Sequence, residues 1–408
     1  MRALASVATL LFSAAILLAG QGLQATLLPV RASLESFSTL AIGGMGAAYF
    51  FGFTMGCLTG GGLVRRVGHI RVFLAMSAMA SAAPLLHGLV VGPLIWSVLR
   101  FTTGFCLAML YMVIESWLNE SSDNTNRGVI FSTYSMITLT MMATGQMMTL
   151  LYEPTGLQLF VIASVLFSIG AVPVALSVAP SPQQPAKTDI DLRGLFSVSP
   201  SGTAGCFVAG LANGSFWGLA PVYAAAVGDA VSMAAWFMAA VVVGGALAQW
   251  PFGLLSDRFG RRKALAGVAL FAGAVGIGLA SQMLELDFTG TILLAGLWGS
   301  FAFPVYSISV AYANDYADPA EYVRVSAGLL LVYGMGAIAG PFIASSLMTW
   351  HNAGGLFWFA AATHLLLVVF MTYRFFKEGT QADEPIAFSD ALSAAQTTSQ
   401  VFEEELAD

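Results

Sequence analysis

The sequence predicts an all-α membrane protein with twelve transmembrane helices in two six-helix pseudo-repeats. Three observations carry that prediction: the composition, the spacing of long apolar runs, and the return of Gly, Pro and charged residues at a fixed offset. Of 408 residues, 57% are hydrophobic and 9% are charged, with a mean hydropathy of +0.79. A soluble domain is about half apolar and about a quarter charged. Hydrocarbon tolerates few ionised side chains, so this balance places most of the chain in a bilayer.

Each element follows in order. Apolar runs long enough to cross about 30 Å of hydrocarbon fall near residues 4–30, 38–62, 71–91, 94–118, 128–151, 157–178, 201–226, 232–255, 264–283, 289–313, 324–348 and 355–376. Between the sixth and seventh lies APSPQQPAKTDIDLRGLFSVSP, whose prolines, glutamines and charges mark a polar linker. The chain therefore divides into a six-helix bundle (1–178), a linker (179–200), a second six-helix bundle (201–376) and an acidic tail (377–408). The tail holds one Lys and eight acids, so the net charge of −6 belongs to it and the rest is close to neutral. Such a tail is expected to be disordered. No basic face for a nucleic acid stands out. Cys57, Cys106 and Cys206 lie singly in apolar runs, which reads as core packing rather than metal or disulfide chemistry.

Positive loop residues set orientation. With the N-terminus inside, all 16 Lys and Arg except Arg31 and Arg100 fall on the cytoplasmic side or in the tail. Both termini are then cytoplasmic. So are two charged loops, GGLVRRVGHIR (61–71) and FGLLSDRFGRRK (252–263).

These loops belong to an internal repeat. At an offset of 192, Gly22, Pro29, Gly52, Gly61, Arg66 and Gly68 match Gly214, Pro221, Gly244, Gly253, Arg258 and Gly260. Past the third span the offset becomes 195, with Gly104, Tyr111, Asn119 and Gly145 on Gly299, Tyr306, Asn314 and Gly340. Gly and Pro carry backbone information, so their return outweighs that of Ala or Leu. The first span resembles a signal peptide, but it matches the internal seventh span and is retained. Six spans per repeat keep both halves in the same orientation, the parallel-repeat plan of many transporters.

GLLSDRFGRRK resembles the loop signature of the major facilitator superfamily, at the place between spans eight and nine where that family repeats it. The resemblance covers residues 1–376. IESWLNE (114–120) and AYANDYA (311–317) are similar to the YcaD-like bacterial branch. The resemblance implies a secondary active transporter in the bacterial inner membrane, working by alternating access with no cofactor. Its implied partners are a small-molecule substrate, protons and the bilayer, and it is expected to act as a monomer. Export of a weakly polar or drug-like compound is the leading expectation, with uptake of a small metabolite, or a non-transporting receptor or scaffold, as alternatives. No Gly-x-Ser-x-Gly, HExxH or intramembrane acid cluster points to an enzyme.

The resemblance also assigns the loops a latching role. The 8–9 loop, with Gly253, Asp257, Arg258, Gly260, Arg261 and Arg262, would meet the start of span five near Arg127 and Gly128. The 2–3 loop, with Gly61, Arg65, Arg66, Gly68 and Arg71, would meet the start of span eleven near Arg324. An Asp suits the positive N-terminus of a facing helix, whereas a cation there is unfavourable by about 0.3–1 kcal/mol. Arg65 stands where the second copy has Asp257. The first copy is therefore expected to pair Arg65 and Arg66 with the 10–11 loop acids Asp315, Asp318 and Glu321. The competing reading is that these charges serve orientation alone.

Inside the membrane, Arg100, Gly104, Ala108, Tyr111 and Glu115 form one helical stripe of span four. Arg100 and Glu115 are about 22 Å apart along a helix and cannot pair. Glu115 either anchors the 2–3 loop, carries a proton through the cycle, or snorkels at the interface. Arg100 either meets an anionic group or the outer gate, or reaches to the headgroups. Gln21 and Gln24 in span one and Asn213 in span seven offer amides to a neutral or zwitterionic solute, or to neighbouring helices. Trp217, Tyr223, Trp298, Tyr306 and Tyr333 are candidates for an aromatic cavity wall, with Trp298 and Tyr306 mid-span in span ten. GMGAIAGP (334–341) in span eleven reads as a close-packing face ahead of Pro341, while span five has Gly145 without a proline.

Overall fold

The computed structural model describes residues 2–122, 127–176, 192–281, 286–317 and 322–378. The tail beyond 378, most of the linker, Asp318 and Glu321 lie outside them. The described residues form helices and connecting turns with no strand. They are α1 (Arg2–Leu34), α2 (Thr39–Val67), α3 (His69–Leu89), α4 (Pro93–Glu120), α5 (Arg127–Met147), α6 (Gln158–Ala175), α7 (Leu192–Val198), α8 (Pro200–Val227), α9 (Ala230–Phe259), α10 (Arg261–Ser281), α11 (Phe288–Ala302), α12 (Pro304–Asn314), α13 (Tyr322–Trp350) and α14 (Gly355–Glu378).

Ten segments are long and apolar enough to cross a membrane, with α11 and α12 counted as one. The two long helices outside that count are α5 and α8. The first is rich in Ser and Thr and the second in Gly, Ser and Thr, which lowers hydropathy without shortening the helix. Two details depart from expectation. The tenth span is not one continuous helix. It breaks at Phe303, because Pro304 has no N–H to continue the ladder and starts a new helix instead. The linker also ends in a folded turn, α7, whose Leu195 is buried with Cys206, Val325 and Leu329. That leucine faces the second half, so the last part of the linker is not merely polar.

The repeat is visible in helix contacts as well as in residues. A methyl group placed on Gly22 would fall 2.2 Å from the Met142 carbonyl oxygen, and one on Gly214 would fall 2.5 Å from that of Ala337. Gly104 abuts the Tyr49 carbonyl and Gly299 abuts that of Val241 in the same way, at 2.0 and 2.2 Å. Each of the four partners sits at the repeat offset. The α1–α5 and α2–α4 contacts of the first half are thus rebuilt as α8–α13 and α9–α11 in the second. Close backbone approach through small residues is the usual means of joining helices in lipid, where burial of apolar surface supplies little drive.

The halves meet unevenly. The start of α1, the end of α14 and both charged loops lie at one end of the bundle, called here the terminal end. At the opposite end a single apolar cluster takes residues from both halves, including Leu27 and Ile42 of the first and Leu219, Phe237 and Phe357 of the second. There Gly46 and Gly218 bring α2 and α8 together, so that a methyl on Gly46 would lie 3.0 Å from the Gly218 Cα. Toward the terminal end the clusters separate. One belongs to the first half around Val64, Val113 and Ile130, save for the edge of Trp217, and two belong to the second. At the closed end Arg31 pins the last turn of α1, bonding Glu35 at 2.6 Å and the Pro154 carbonyl at 2.8 Å.

Candidate functional site

A cavity of about 280 Å³ lies between the halves. The first half contributes α1, α2, α4 and α5, and the second contributes α8 and α13. Its lining extends to Leu58 and Ala327, toward the terminal ends of α2 and α13. Most of the wall is apolar or aromatic. The polar groups are few and joined in a line. The Tyr111 hydroxyl donates to Gln21 Oε1 at 2.5 Å, and Gln21 Nε2 donates to the Tyr49 hydroxyl at 3.2 Å. Arg100 Cζ stands 4.2 Å above the centre of the Tyr49 ring, a cation held against the negative face of the π system. Among the described residues no carboxylate lies within 4.0 Å of the Arg100 nitrogens.

The helical stripe in α4 explains this placement. Its small members, Gly104 and Ala108, press on the α2 backbone at Tyr49 and Gly56. The large members on either side, Arg100 and Tyr111, are then directed past α2 into the cavity. Arg100 therefore turns inward over Tyr49, and the expected reach to the headgroups is not what the structure shows. Tyr49 itself was missed by sequence reasoning. It sits in the aromatic run YFFGF, and its phase one turn from Phe53 and facing Gly104 is the only signal that singles it out.

Gln24 also lines the cavity and is 2% exposed. Both polar atoms of its side-chain amide are buried without a partner. Trp217 forms part of the wall from the second half. Asn213 and Tyr306 stand one layer back. Asn213 hydrogen-bonds Tyr333, and Tyr306 packs on Tyr333 with ring centres 4.9 Å apart, leaving Tyr333 to face the cavity. Trp298 is displaced from the expected wall. It is fully buried in the second half, 5.3 Å from both Phe216 and Phe357, because its face of α11 packs into the bundle. Tyr223 is likewise in that core, donating to the Leu279 carbonyl.

Glu115 lies one turn beyond Tyr111 on the terminal side. It is 5% exposed, so it is not an interfacial side chain reaching for water. It is near enough to Cys57, Tyr111, Tyr134 and, from the other half, Tyr306 to interact electrostatically with each.

The charged loops share one backbone and differ in chemistry. Gly68 has φ 92° and Gly260 φ 88°, a conformation in which side-chain-bearing residues are strained. Gly61 and Gly253 are buried within the last turns of α2 and α9. In the second loop Arg261 is 2% exposed. It bonds Asp257 at 2.9 Å, Asp315 at 2.8 Å and the Ser256 hydroxyl at 3.0 Å. Arg262 is buried over Phe375, while Arg258 is exposed. The structure thus gives Asp257 a partner one turn along its own chain, and Asp315 a partner within its own half. Pairing of Arg65 and Arg66 with Asp318 and Glu321 falls outside the described residues. In the first loop Arg66 and Arg71 are exposed and Arg65 half-buried.

A polar line in an apolar cavity, set between two halves matched as parallel repeats, is the architecture of a multi-pass membrane transporter. The family described as Major Facilitator Superfamily matches residues 202–405, and the chain belongs to it. Among its relatives, the uncharacterised MFS-type transporter YcaD of Escherichia fergusonii is 27% identical over 348 residues, spanning 85% of this chain and 90% of that protein. YcaD of Salmonella typhimurium is 28% identical over 366 residues, spanning 89% and 93%. The chain is thus of the YcaD-like branch. Solved structures share the fold at low identity. The nucleoside transporter NupG matches with a TM-score of 0.74 at 14% identity, over 90% of this chain and 98% of its own. A bacterial homolog of the human lysosomal transporter Spinster, in an inward-facing and occupied conformation, matches with a TM-score of 0.71 at 14% identity, over 91% and 96%.

Proposed function

We propose that the protein is a secondary active transporter of the bacterial inner membrane that moves a small, weakly polar organic solute by alternating access. The observation that carries this reading is the cavity walled by both repeats, with the halves joined at one end and parted at the other. Positive loops favour the cytoplasmic side, so on this reading both termini are cytoplasmic, the parted end faces the cytoplasm and the arrangement is an inward-facing one. Rocking of residues 1–178 against 201–376 about the cavity exposes it to each side in turn. The Gly61–Arg71 and Gly253–Arg262 loops then latch the cytoplasmic end when the opposite end opens. The chain works as a monomer and does no covalent chemistry on its solute.

The wall also bears on the solute's character. A sugar-like metabolite requires many convergent hydrogen bonds, because each unpaired polar group costs free energy in a dry site. This wall offers few, so an amphipathic or drug-like solute fits it better, and export of such a compound is the direction proposed. Protons supply the drive through Glu115, which sits directly below the Tyr111–Gln21–Tyr49 line and can exchange a proton as access alternates.

Alternating access is testable without knowing the solute. Spin labels at Leu40 and Trp350 report the closed end, and labels at Val67 and Arg324 report the terminal end. Two distance populations exchanging in opposite sense at the two ends are expected, with pH shifting their ratio in the wild type but not in Glu115→Gln. One invariant distance at each end would overturn the carrier reading. An unchanged pH response in Glu115→Gln would remove Glu115 from coupling.

A further inference from the structure

We infer that the solute is an organic monoanion: a carboxylate or equivalent acid on an apolar, ring-sized frame that also carries one group able to hydrogen-bond. This deepens the transport reading and rests on it, since it assigns the chemistry of the same cavity. Four observations lead to it.

Arg100 is the one formally charged side chain among the described residues that line the cavity. Among the described residues its charge faces no carboxylate, and its contact is the Tyr49 ring. A guanidinium at this depth is expensive to keep without a partner, and a ring face compensates it only in part. A single negative charge on the solute completes the site, and a planar carboxylate matches the guanidinium fork in two parallel hydrogen bonds.

The second observation is Gln24. Its amide is buried with neither its N nor its O satisfied, although it belongs to the cavity wall. A buried amide of this kind is costly unless something pairs with it. A hydroxyl or amide on the solute pairs with it once the side chain turns into the cavity it lines. Gln21, by contrast, is already engaged through both its amide atoms by Tyr111 and Tyr49. The third observation is the remainder of the wall, where Phe50, Phe53, Met142, Trp217, Leu330 and Tyr333 offer apolar and ring surface to a flat frame. The fourth is size. The cavity of about 280 Å³ holds one or two fused rings with a substituent, just below the usual range for small-molecule sites. A dianion is disfavoured, because one cation cannot balance it, and a cation is repelled outright.

The test uses 6-hydroxy-2-naphthoate as probe and its primary amide as the neutral match, in calorimetry on purified full-length protein. The expected result is at least tenfold tighter binding of the acid than of the amide by the wild type. Arg100→Gln should lose that preference, and Arg100→Lys should keep part of it, since it retains charge but not the fork. Amide binding to the same Arg100→Gln preparation reports that the cavity still forms, and Arg100→Lys serves where Arg100→Gln does not fold. Gln24→Leu should weaken 6-hydroxy-2-naphthoate more than 2-naphthoate. Equal binding of acid and amide, an acid preference that survives Arg100→Gln, or no binding of either probe at millimolar concentration would overturn the inference. Counterflow of labelled 6-hydroxy-2-naphthoate in liposomes separates the two readings. Arg100-dependent binding without counterflow removes transport and leaves the site, whereas solute-independent exchange of the two end distances with no acid preference removes the monoanion and leaves the carrier.

Discussion

The two charged corners between α2 and α3 and between α9 and α10 are the same turn built with different side chains. Gly68 and Gly260 hold nearly equal positive φ values, 92° and 88°. Around that shared backbone, four described members of the second corner's polar network are replaced in the first. Asp257 becomes Arg65, Ser256 becomes Val64, Arg261 becomes His69 and Asp315 becomes Glu120. The second corner buries a cation among two carboxylates and a hydroxyl. The first buries His69, at 2% exposure, and leaves Glu120 in solvent. The signature thus separates into a backbone part, which glycine sets and duplication keeps, and a side-chain part, which each half is free to rewrite.

The largest expected difference lies in the buried ions. Arg261→Ala removes the cation that holds Asp315, whose side chain is only 5% exposed. Loss of one partner of a buried pair costs about 3–5 kcal/mol. His69→Ala removes a buried ring with no such ion network and should cost less, by denaturant unfolding of the purified proteins. Equal costs would break the distinction between the corners. Next in size is the glycine itself. Gly68→Val and Gly260→Val both force a β-branched residue into positive φ, at about 1–3 kcal/mol each. Here the two corners should respond alike. A much smaller loss at Gly68 would show that the shared backbone is not held equally firmly.

Much of this fold was legible in the sequence, and the reasons are physical. Lipid leaves few solutions for a polar backbone, so long apolar runs read directly as helices. The offsets of 192 and 195 were carried by glycines that mark helix crossings, which is why Gly22 and Gly214 reappear in matching contacts. What was not legible were partners across space. Arg261–Asp315 spans 54 positions, and nothing in the 8–9 loop predicts that Asp315 returns to its own half rather than meeting Arg65. The cavity shows the same limit. Arg100, Gln21, Gln24, Tyr111 and Trp217 were visible as intramembrane polar or aromatic residues and do line it. Tyr49 was hidden in an aromatic run, and Trp298 was misread because mid-span position does not tell which helix face meets the core.

Rewriting the first corner in the image of the second gives a smaller effect. Arg65→Asp with His69→Arg restores an i, i+4 acid–base pair across Gly68. The acid that would complete the network, Glu120, is exposed where Asp315 is buried, and a pair left without that second carboxylate and open to water on one side is worth about 0–1 kcal/mol. The double variant should therefore match the wild type in stability within that range. A gain of several kcal/mol would mean that a buried network had re-formed with Glu120, and would make the first corner a weakened copy rather than a rewritten one.

The smallest expected contrast is at the opposite end, where α2 and α9 begin. Ser38 caps α2, its side chain accepting from the Ala41 N–H at 3.2 Å. Asp229 caps α9, accepting from the Ser232 hydroxyl at 2.6 Å and its N–H at 3.2 Å. Those two hydrogen bonds, the hydroxyl's first, hold the Asp229 carboxyl below its ordinary pKa. A depressed pKa in the folded state adds stability that is present above the unfolded carboxylate value, about 4, and is lost as pH falls through the folded value. A serine cap has no such dependence. Asp229→Ser should therefore leave stability near neutral pH almost unchanged, because both residues cap well. It should lose slightly less stability than the wild type between pH 5 and pH 3, read as thermal midpoints at each pH. Ser38→Asp should import the same acid sensitivity to α2, since the ionised carboxylate there also faces a helix N-terminus. Identical acid profiles for all three proteins would show that the cap at α9 draws its strength from backbone geometry alone.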